Sequence, residues 1–179
     1  MEIAHQLLKL HLCKDDVIID ATVGNGHDTV FLAPFVKHVY AFDIQKEAID
    51  HTIIKLDDLN ITNVTLIHDS HQHYHQYVND FKAAIFNLGY LPKGDKSITT
   101  QADITLSTVT SMLRQLPIGG FIQIVVYTGH EHGQLESESL HELFRTLSNI
   151  QYQVMKIDLP FQDNHPPYIF MVYKKKDEA

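Results

Sequence analysis

Short apolar runs alternate with amphipathic stretches along most of this chain. The runs have the length of β-strands and are rich in Val, Ile, Phe and Tyr, residues that favour buried strands. They span Val17 to Ala21, His38 to Asp43, Val64 to His68, Ala83 to Leu88 and Phe121 to Tyr127. Because strands that alternate with helices build a parallel sheet covered on both faces, the pattern predicts an α/β fold.

Three other stretches have the apolar spacing of helices, with repeats at three and four residues. The clearest helix is predicted from Gln45 to Leu59. Its apolar stripe, expected to pack on the sheet, consists of Ala48, Ile49, Thr52, Ile53 and Leu56. A second helix is predicted from Ala102 to Leu116, because Pro117 and Gly119-Gly120 follow as stop signals. A third is predicted from about Glu136 to Leu147.

Two further strand-like runs, Tyr152 to Leu159 and Tyr168 to Tyr173, close the pattern. The polar, Pro-containing connection between them is too short for a crossover helix, so the two runs should form an antiparallel hairpin. Parallel strands followed by such a hairpin predict the Rossmann-like class I methyltransferase fold, whose seven-stranded sheet is mostly parallel and has helices on both faces. Since no repeat or linker interrupts the pattern, residues 1–179 are predicted to form a single domain.

The composition agrees with a packed core. Of the 179 residues, 44% are hydrophobic and 20% are charged. Cys13 is the only cysteine, which excludes an intrachain disulfide and a thiolate zinc cluster, and it is expected to be a small buried side chain. Residues Met1 to Leu12 lack the continuous apolar core of a signal peptide or a membrane span. The sequence therefore predicts a cytoplasmic protein with no membrane partner.

The net charge of −8 argues against a protein that coats nucleic acid through its overall field. A local basic patch remains compatible with this charge. Lys93 and Lys96 share one loop, and Lys174 to Lys176 follow the last predicted strand, where they form either such a patch or a solvated tail.

A glycine turn follows the first predicted strand and is the first candidate binding site. Glycine tolerates positive φ and lets a ligand approach the backbone, although Gly24 and Gly26 can also be purely structural. A dinucleotide fingerprint needs a small residue where Thr29 stands, and Asp28 would place a negative charge beside a diphosphate. S-adenosylmethionine carries no phosphate, and its ammonium accepts acidic neighbours. The turn residues assigned to this cofactor are Asp20, Gly24, Asn25, Gly26, His27, Asp28 and Thr29.

The next two strand ends also carry acidic residues. Asp43 can accept hydrogen bonds from both ribose hydroxyls, or it can only cap the helix that begins near Gln45. Ile44 can offer an apolar face to the adenine, and Asp69 can accept its amino group. Ser70 and His71 can donate backbone amides to the ring, with a plain helix cap as the alternative for Ser70. The strand ends together predict one cofactor site, which includes Gln45.

The fourth strand runs through Asn87 and Leu88 into a loop rich in Gly and Pro, and both residues are assigned to the cofactor site. In amino-group methyltransferases a side-chain carbonyl here, with a backbone carbonyl, accepts hydrogen bonds from the nitrogen being methylated. Asn87 is therefore the candidate catalytic residue, with fixing of the loop as the alternative. Tyr90 can stack on an unstacked base. The loop residues assigned to substrate binding are Gly89, Tyr90, Leu91, Pro92 and Lys93.

Histidines are frequent near these strand ends, which raises the possibility of a metal site. They are His68, His71, His73, His75, His130 and His132. Residues spaced by two diverge on a helix, and neither segment contains the His-Glu-x-x-His zinc arrangement. The sequence therefore predicts no metal.

The ordered motifs together resemble one known family of small methyltransferases, the YtqB/MnmM group, described broadly as rRNA methylases. The resemblance covers almost the whole chain. The segments that carry it are Asp20 to Thr29, Asp43 to Gln45, His68 to His71, Asn87 to Pro92, Tyr127 to Glu131 and Asn164 to Tyr168.

This resemblance implies a homodimeric enzyme that uses S-adenosylmethionine. The implied substrate is the aminomethyl group of a thiolated wobble uridine in the tRNA anticodon loop, which becomes a methylaminomethyl group. Asp43, Gln45, Asp69 and Ser70 would line the cofactor site. Tyr127, His130, Asn164 and Pro167 would contact the substrate. The amine must lose a proton, either to water before it binds or to a nearby group such as His130.

The segment Tyr127 to Gly133 departs from the commoner Gly-His-Pro-x-Gly form of the family by having Glu131 and His132. Its substrate contacts are therefore the least defined part of the resemblance. Three alternatives remain open: a methyltransferase for another RNA position or a small amine, a noncatalytic nucleotide-binding module, and an NAD-dependent oxidoreductase. The missing third glycine and the antiparallel hairpin disfavour the last of these.

Overall fold

Seven strands form the sheet, and five α-helices pack around it, in a computed structural model that describes residues 2–89, 102–129, 131–163 and 166–177. The helices are α1 (Glu2–His11), α2 (His27–Leu32), α3 (Lys46–Asp58), α4 (Ala102–Gln115) and α5 (Glu131–Thr146). The strands are β1 (Val17–Asp20), β2 (His38–Asp43), β3 (Val64–His68), β4 (Ala83–Leu88), β5 (Phe121–Val126), β6 (Tyr152–Ile157) and β7 (Tyr168–Lys174). Two 3-10 helices span Ala33–Phe35 and His71–Gln76.

The strand order is β3-β2-β1-β4-β5-β7-β6. β1 to β5 pair in parallel with one another, whereas β7 runs antiparallel to both β5 and β6. The predicted sheet with its C-terminal antiparallel pair is therefore confirmed. Since β1 lies between β2 and β4, the winding of the sheet reverses there, and such a switch point opens a crevice at the carboxyl ends of the strands.

The core has one apolar layer on each face of the sheet. Neighbouring residues of a strand point to opposite faces, so Ile18 joins one layer and Ile19 the other. Ala4 and Leu8 of α1 bury against the layer of Ile18. Side chains of α4 and α5, such as Met112, bury against the opposite layer. Helices thus cover both faces, and none of the described helices is long and apolar enough to cross a membrane.

Most predicted element boundaries are correct to within one residue, but four predictions need correction. Ile53 is 43% exposed rather than buried, because the buried stripe of α3 uses Ala48, Ile49, Thr52 and Leu56 and leaves Ile53 facing solvent. β6 ends at Ile157 instead of Leu159.

The third correction concerns α5, which begins at Glu131 rather than near Glu136. Its first turn is polar and carries no apolar repeat, so periodicity did not reveal it. The fourth concerns Cys13, which is exposed in the turn after α1, where its backbone N–H donates to Asp16 Oδ2 over 2.7 Å. The helix α1 itself was not predicted.

Candidate active site

The carboxyl ends of β1, β2 and β4 converge at one edge of the sheet. Asp20 pairs in register with Ala41 of β2 and Ile85 of β4. Asp43 and Asn87 therefore each lie two residues beyond Asp20 at the same edge. The ends of β1, β2 and β4, which the sequence predicts to bind the cofactor, therefore lie together in a single crevice.

The glycine turn after β1 has the backbone that only glycine adopts easily. Gly24 has φ 52° and Gly26 has φ 72°. A Cβ at Gly26 would lie 2.5 Å from Thr52 Oγ1, so the turn sits directly against α3. Lys55, also on α3, donates to the carbonyl of Asn25 over 2.5 Å. Contacts with α3 thus hold the turn on one side, while its backbone borders the crevice on the other.

Asp43 joins β2 to this turn. Its Oδ2 accepts from the N–H of Gly24 at 2.8 Å, and its Oδ1 accepts from the N–H of Gln45 at 2.9 Å. Burial raises the pKa of Asp43, and these hydrogen bonds oppose the rise. Each carboxylate oxygen still has a second lone pair, so Asp43 has acceptor capacity for a ligand as well. The N-cap of α3 is Gln45, so Asp43 is not the capping residue itself.

Asp20 is fully buried beneath the same turn. Its Oδ2 accepts from the Thr29 hydroxyl at 2.6 Å, and its Oδ1 accepts from the Thr22 N–H at 3.1 Å. Burial, followed by the charge of Asp28, raises the pKa of Asp20 to about 7. With 0% exposure, Asp20 acts on the crevice through the turn that it holds and through its charge.

Asn87 sits in a hydrogen-bonded network at the end of β4. Its side-chain Nδ2 donates to Asp28 Oδ2 over 3.0 Å, and its backbone N–H donates to Thr22 Oγ1 over 2.7 Å. Asp28 Oδ1 lies 2.5 Å from Nε2 of His5, on α1. Tyr127 is hydrogen-bonded to the Asn87 side chain, and burial, followed by the charge of Asp28, raises the pKa of Tyr127.

The end of β3 forms a second polar group. Asp69 accepts from the Ser70 N–H at 2.7 Å and from the Tyr77 hydroxyl at 3.0 Å, and its Oδ1 lies 2.9 Å from His73 Nδ1. The hydrogen bond from His73 lowers the pKa of Asp69. Ser70 is the N-cap of the following 3-10 helix, as its alternative role predicts. Ile44 is 44% exposed, as an apolar surface for a ring requires.

The histidines near these strand ends have separate partners. His68 Nε2 lies 3.1 Å from the Ile44 carbonyl, and His71 Nδ1 lies 3.1 Å from the Ala21 carbonyl. Burial lowers the pKa of His71 to about 4, so this imidazole is neutral at pH 7 and donates through Nδ1. Within the described ranges, no group of three or more His, Cys, Asp or Glu side chains is arranged to hold a metal ion.

Three of the predicted substrate residues, Gly89, Tyr127 and Pro167, lie at the same edge. Val126, the last residue of β5, pairs with Tyr168, the first residue of β7. Tyr127 follows Val126 and Pro167 precedes Tyr168, so both lie at the carboxyl end of β5. Gly89 lies beside the Tyr127 ring, because a Cβ placed on Gly89 would be 3.5 Å from the Cδ2 atom of Tyr127. His27 is exposed at the start of α2. Six predicted residues lie outside the described ranges: Tyr90, Leu91, Pro92, Lys93, His130 and Asn164.

Three residues of the site were not singled out from the sequence. Thr22 lies inside the glycine motif, two residues after Asp20 and two before Gly24, and this position could have identified it as a site residue. Lys55 and His5 had no sequence signal, because each reaches the turn from a separate helix. Lys174, in contrast, is buried at the far edge, where its Nζ donates to the Arg114 carbonyl over 3.1 Å. It therefore belongs to neither a solvated tail nor a basic patch at the crevice.

The electrostatics of the crevice fit a cationic nucleoside. The charges of Asp28 and Asp43 both raise the pKa of Asp20, so three carboxyl groups act on one small region. A diphosphate is a poor ligand for such a region, whereas a sulfonium and an ammonium suit it. The open turn, the lone pairs of Asp43 and the exposed Ile44 complete a site that fits S-adenosylmethionine.

Comparisons with known proteins agree with this geometry. Residues 39–173 match the model of the family described as "Putative rRNA methylase". The chain is 36% identical to a chloroplastic tRNA (mnm(5)s(2)U34)-methyltransferase of Arabidopsis thaliana, over 95% of this chain and 68% of that protein.

Two solved structures share the whole fold. SMU.1697c of Streptococcus mutans, described as "a putative methyltransferase" and solved in complex with SAH, is 42% identical, with a TM-score of 0.90 over 97% of this chain and 96% of that chain. A protein of Clostridium thermocellum described as a "putative rRNA-methylase" is 39% identical, with a TM-score of 0.92 over the same shares of both chains, 97% and 96%. The chain therefore belongs to the putative rRNA methylase family, and it is a methyltransferase whose cofactor is S-adenosylmethionine.

Proposed function

We propose that this protein methylates the primary amine of a 5-aminomethyl-2-thiouridine at the wobble position of tRNA, producing the 5-methylaminomethyl form. The observation that carries the proposal is the 36% identity, over 95% of this chain, to the plant enzyme whose name contains the nucleoside mnm(5)s(2)U34. The presence of Asn87 at the end of β4 supports an amine as the acceptor.

In this proposal the cofactor lies across the carboxyl ends of β1, β2 and β3. Asp43 accepts hydrogen bonds from its ribose, Asp69 accepts from the adenine amino group, and Ile44 covers the ring. The bound cofactor supplies an electrophilic methyl group on its sulfonium. Asp28 and Asp43, whose charges both act on Asp20, provide the negative charge that favours this cation over a phosphorylated nucleotide.

The chain contributes position and orientation rather than a covalent nucleophile. The Asn87 side-chain carbonyl and a neighbouring backbone carbonyl accept hydrogen bonds from the amine, so that its lone pair points along the line of attack. Because an ammonium has no lone pair, it must first lose a proton, and His130 is the proposed acceptor of that proton. The nitrogen–carbon bond then forms as the carbon–sulfur bond breaks, and S-adenosylhomocysteine leaves.

The tRNA anticodon loop is the proposed partner, and the substrate residues would enclose its wobble nucleotide. Tyr127 and Pro167 support this arrangement, because both lie at the carboxyl end of β5 and Tyr127 is hydrogen-bonded to the Asn87 side chain. The other proposed contacts are Gly89, Tyr90, Leu91, Pro92, Lys93 and Asn164. The homodimer stays a prediction, which sedimentation velocity at micromolar protein concentration tests.

Nucleoside mass analysis of tRNA tests the proposal. Cells that lack this gene are expected to lose 5-methylaminomethyl-2-thiouridine and to accumulate its unmethylated amine. Add-back of the wild-type gene should restore the methylated form, and add-back of Asp43→Ala should not. An unchanged tRNA nucleoside profile in the deletion strain would refute the proposed substrate.

One observation favours a second acceptor class. A net charge of −8 is unusual for a protein that binds a polyanion, and it suits a small amine instead. Purified protein incubated with cofactor and either bulk tRNA or small polyamines separates the two. Methyl transfer to the polyamines alone would support the second acceptor class.

A further inference from the structure

The N-terminal helix α1 contributes a side chain to the active-site network. Ala4 and Leu8 anchor the helix in the core, with 4% and 1% exposure. His5 on the same helix turns toward α2 and stacks on Phe31, with ring centroids 3.9 Å apart and an interplanar angle of 9°. This stacking fixes the plane of the imidazole. Its Nε2 thereby lies 2.5 Å from Asp28 Oδ1, with 22% of the His5 side chain exposed.

Asp28 connects His5 to Asn87 at the end of β4. Its side chain is 14% exposed, and its second oxygen accepts from Asn87 Nδ2 at 3.0 Å. A carboxylate is only an acceptor, so the amide nitrogen of Asn87 must face Asp28 and the carbonyl oxygen must face the other way. His5 and Asn87 therefore hold the two oxygens of one carboxylate between them.

We propose that His5 is a positioning residue for methyl transfer: through Asp28 it sets the orientation of the Asn87 carbonyl that receives the acceptor amine. This inference rests on the proposed role of Asn87 in amine methylation. Without His5, Asp28 keeps Asn87 as a partner but loses the contact that stops its carboxylate from rotating. The Asn87 amide then keeps its hydrogen bond with Tyr127 but loses a fixed partner at Asp28, which misplaces the acceptor more than it weakens cofactor binding.

The first test is kinetic and uses His5→Ala, His5→Gln and Lys9→Ala. Lys9 is the matched control, because it lies one turn further along the same helix and places its Nζ 5.3 Å from the Phe35 ring centroid. For His5→Ala, kcat with tRNA is expected to fall by about tenfold to a hundredfold. The dissociation constant for S-adenosylhomocysteine, from calorimetry, should stay within about threefold of wild type. Gln keeps an N–H donor and should restore part of kcat, while Lys9→Ala should match wild type.

Two kinetic outcomes would overturn the inference. One is a folded His5→Ala variant that keeps its kcat. The other is an equal loss of kcat in Lys9→Ala, which would mean that docking of α1 matters and the His5 contact does not.

The second test does not depend on the acceptor. In ¹⁵N-labelled protein bound to S-adenosylhomocysteine, the Asn87 side-chain amide is assigned by its disappearance in Asn87→Asp. Its signals should shift, and its protons should exchange about tenfold faster, in His5→Ala but not in Lys9→Ala. Unchanged Asn87 signals in His5→Ala would refute the positioning role. If wild-type protein fails to methylate tRNA, the proposed function fails, whereas these signals still decide whether His5 orients Asn87.

Discussion

Two acidic residues at neighbouring strand ends have different tasks. Asp43 is only partly buried, binds two backbone N–H groups and keeps lone pairs for a ligand. Asp20 is fully enclosed and holds the turn through Thr29 and Thr22. From the sequence, both residues were predicted to bind the cofactor, because both stand at the end of a strand. Only the surrounding chain determines which carboxylate a ligand can reach, since solvent access depends on residues far away in sequence.

The first prediction concerns Asp43. Replacing it with Ala removes hydrogen bonds to a charged acceptor, worth about 2 kcal/mol, so the dissociation constant for S-adenosylhomocysteine should rise roughly thirtyfold. Calorimetric titration measures this change. Asp50→Ala is the control, because Asp50 is exposed on α3, where it pairs with Lys46. Equal affinities of Asp43→Ala and wild type would show that Asp43 is not a cofactor ligand.

The second prediction concerns the pH dependence of stability. Burial raises the pKa of Asp20 from 3.8 to about 7, so between these values the folded protein retains a proton that the unfolded chain has lost. The contribution of Asp20 to the free energy of unfolding of the cofactor-free protein should therefore fall as the pH rises from 4 to 7. Glu136, whose pKa burial raises from 4.5 to about 7, acts in the same direction.

Urea unfolding at pH 5 and pH 8 measures this effect. Asp20→Asn should reduce the stability difference between the two pH values by on the order of 1–4 kcal/mol, because Asn cannot ionise. Asp58→Asn, an exposed change on α3, should leave the difference as in wild type. An unchanged difference in Asp20→Asn would contradict the raised pKa.

Among the secondary-structure elements, strands and helices differ in how well pattern identifies them. β2, β3 and β4 have the predicted bounds. β4 is a nearly continuous apolar run buried inside the sheet, whereas β3 is an edge strand in which only Ile67 is buried. The helix α1 went unnoticed, although it carries a buried stripe, because charged residues and histidines break up its short apolar repeat. Its ten residues are too few for helical propensity to stabilise them alone, so packing on the sheet stabilises the helix.

The third prediction tests this dependence of α1 on packing. Leu8 is 1% exposed, so Leu8→Ala should lower the free energy of unfolding by about 2–5 kcal/mol through lost burial and a residual cavity. Leu10 on the same helix is 78% exposed, and Leu10→Ala should change the free energy of unfolding by less than about 0.5 kcal/mol. Denaturant unfolding measures both variants. Similar values for the two would mean that α1 does not dock in solution as it does here.

Across the fold, the crevice and the lysine-rich end of β7 lie at opposite edges of the sheet. Tyr173 pairs with Phe121, the first residue of β5, whereas Tyr168 pairs with Val126, the last. Lys174, Lys175 and Lys176 therefore follow β7 away from Asn87. Lys174 also bonds Asp177 at 2.9 Å, and Lys175 donates to the Asn149 carbonyl, so part of this run stabilises the protein itself.

The fourth prediction follows from this separation. The double variant Lys175→Ala/Lys176→Ala should change the KM for tRNA by less than about twofold, because charges more than a Debye length from the RNA are largely screened. Steady-state methyl transfer at 150 mM salt measures it, and thermal unfolding checks that the variant is folded. A KM that rises tenfold or more would place RNA at the amino edge of the sheet.

The amino-acid sequence alone was enough to predict the class of fold, with its parallel strands and C-terminal antiparallel pair, and to propose the acidic strand ends as a cofactor site. These features depend on local periodicity and on short motifs, which a chain displays without being folded. The tertiary structure alone decided that Thr22 and Asp28, 65 and 59 residues from Asn87, both hold that residue, and that His5 reaches Asp28. Contacts of this kind depend on how helices and strands pack, and no local pattern records them.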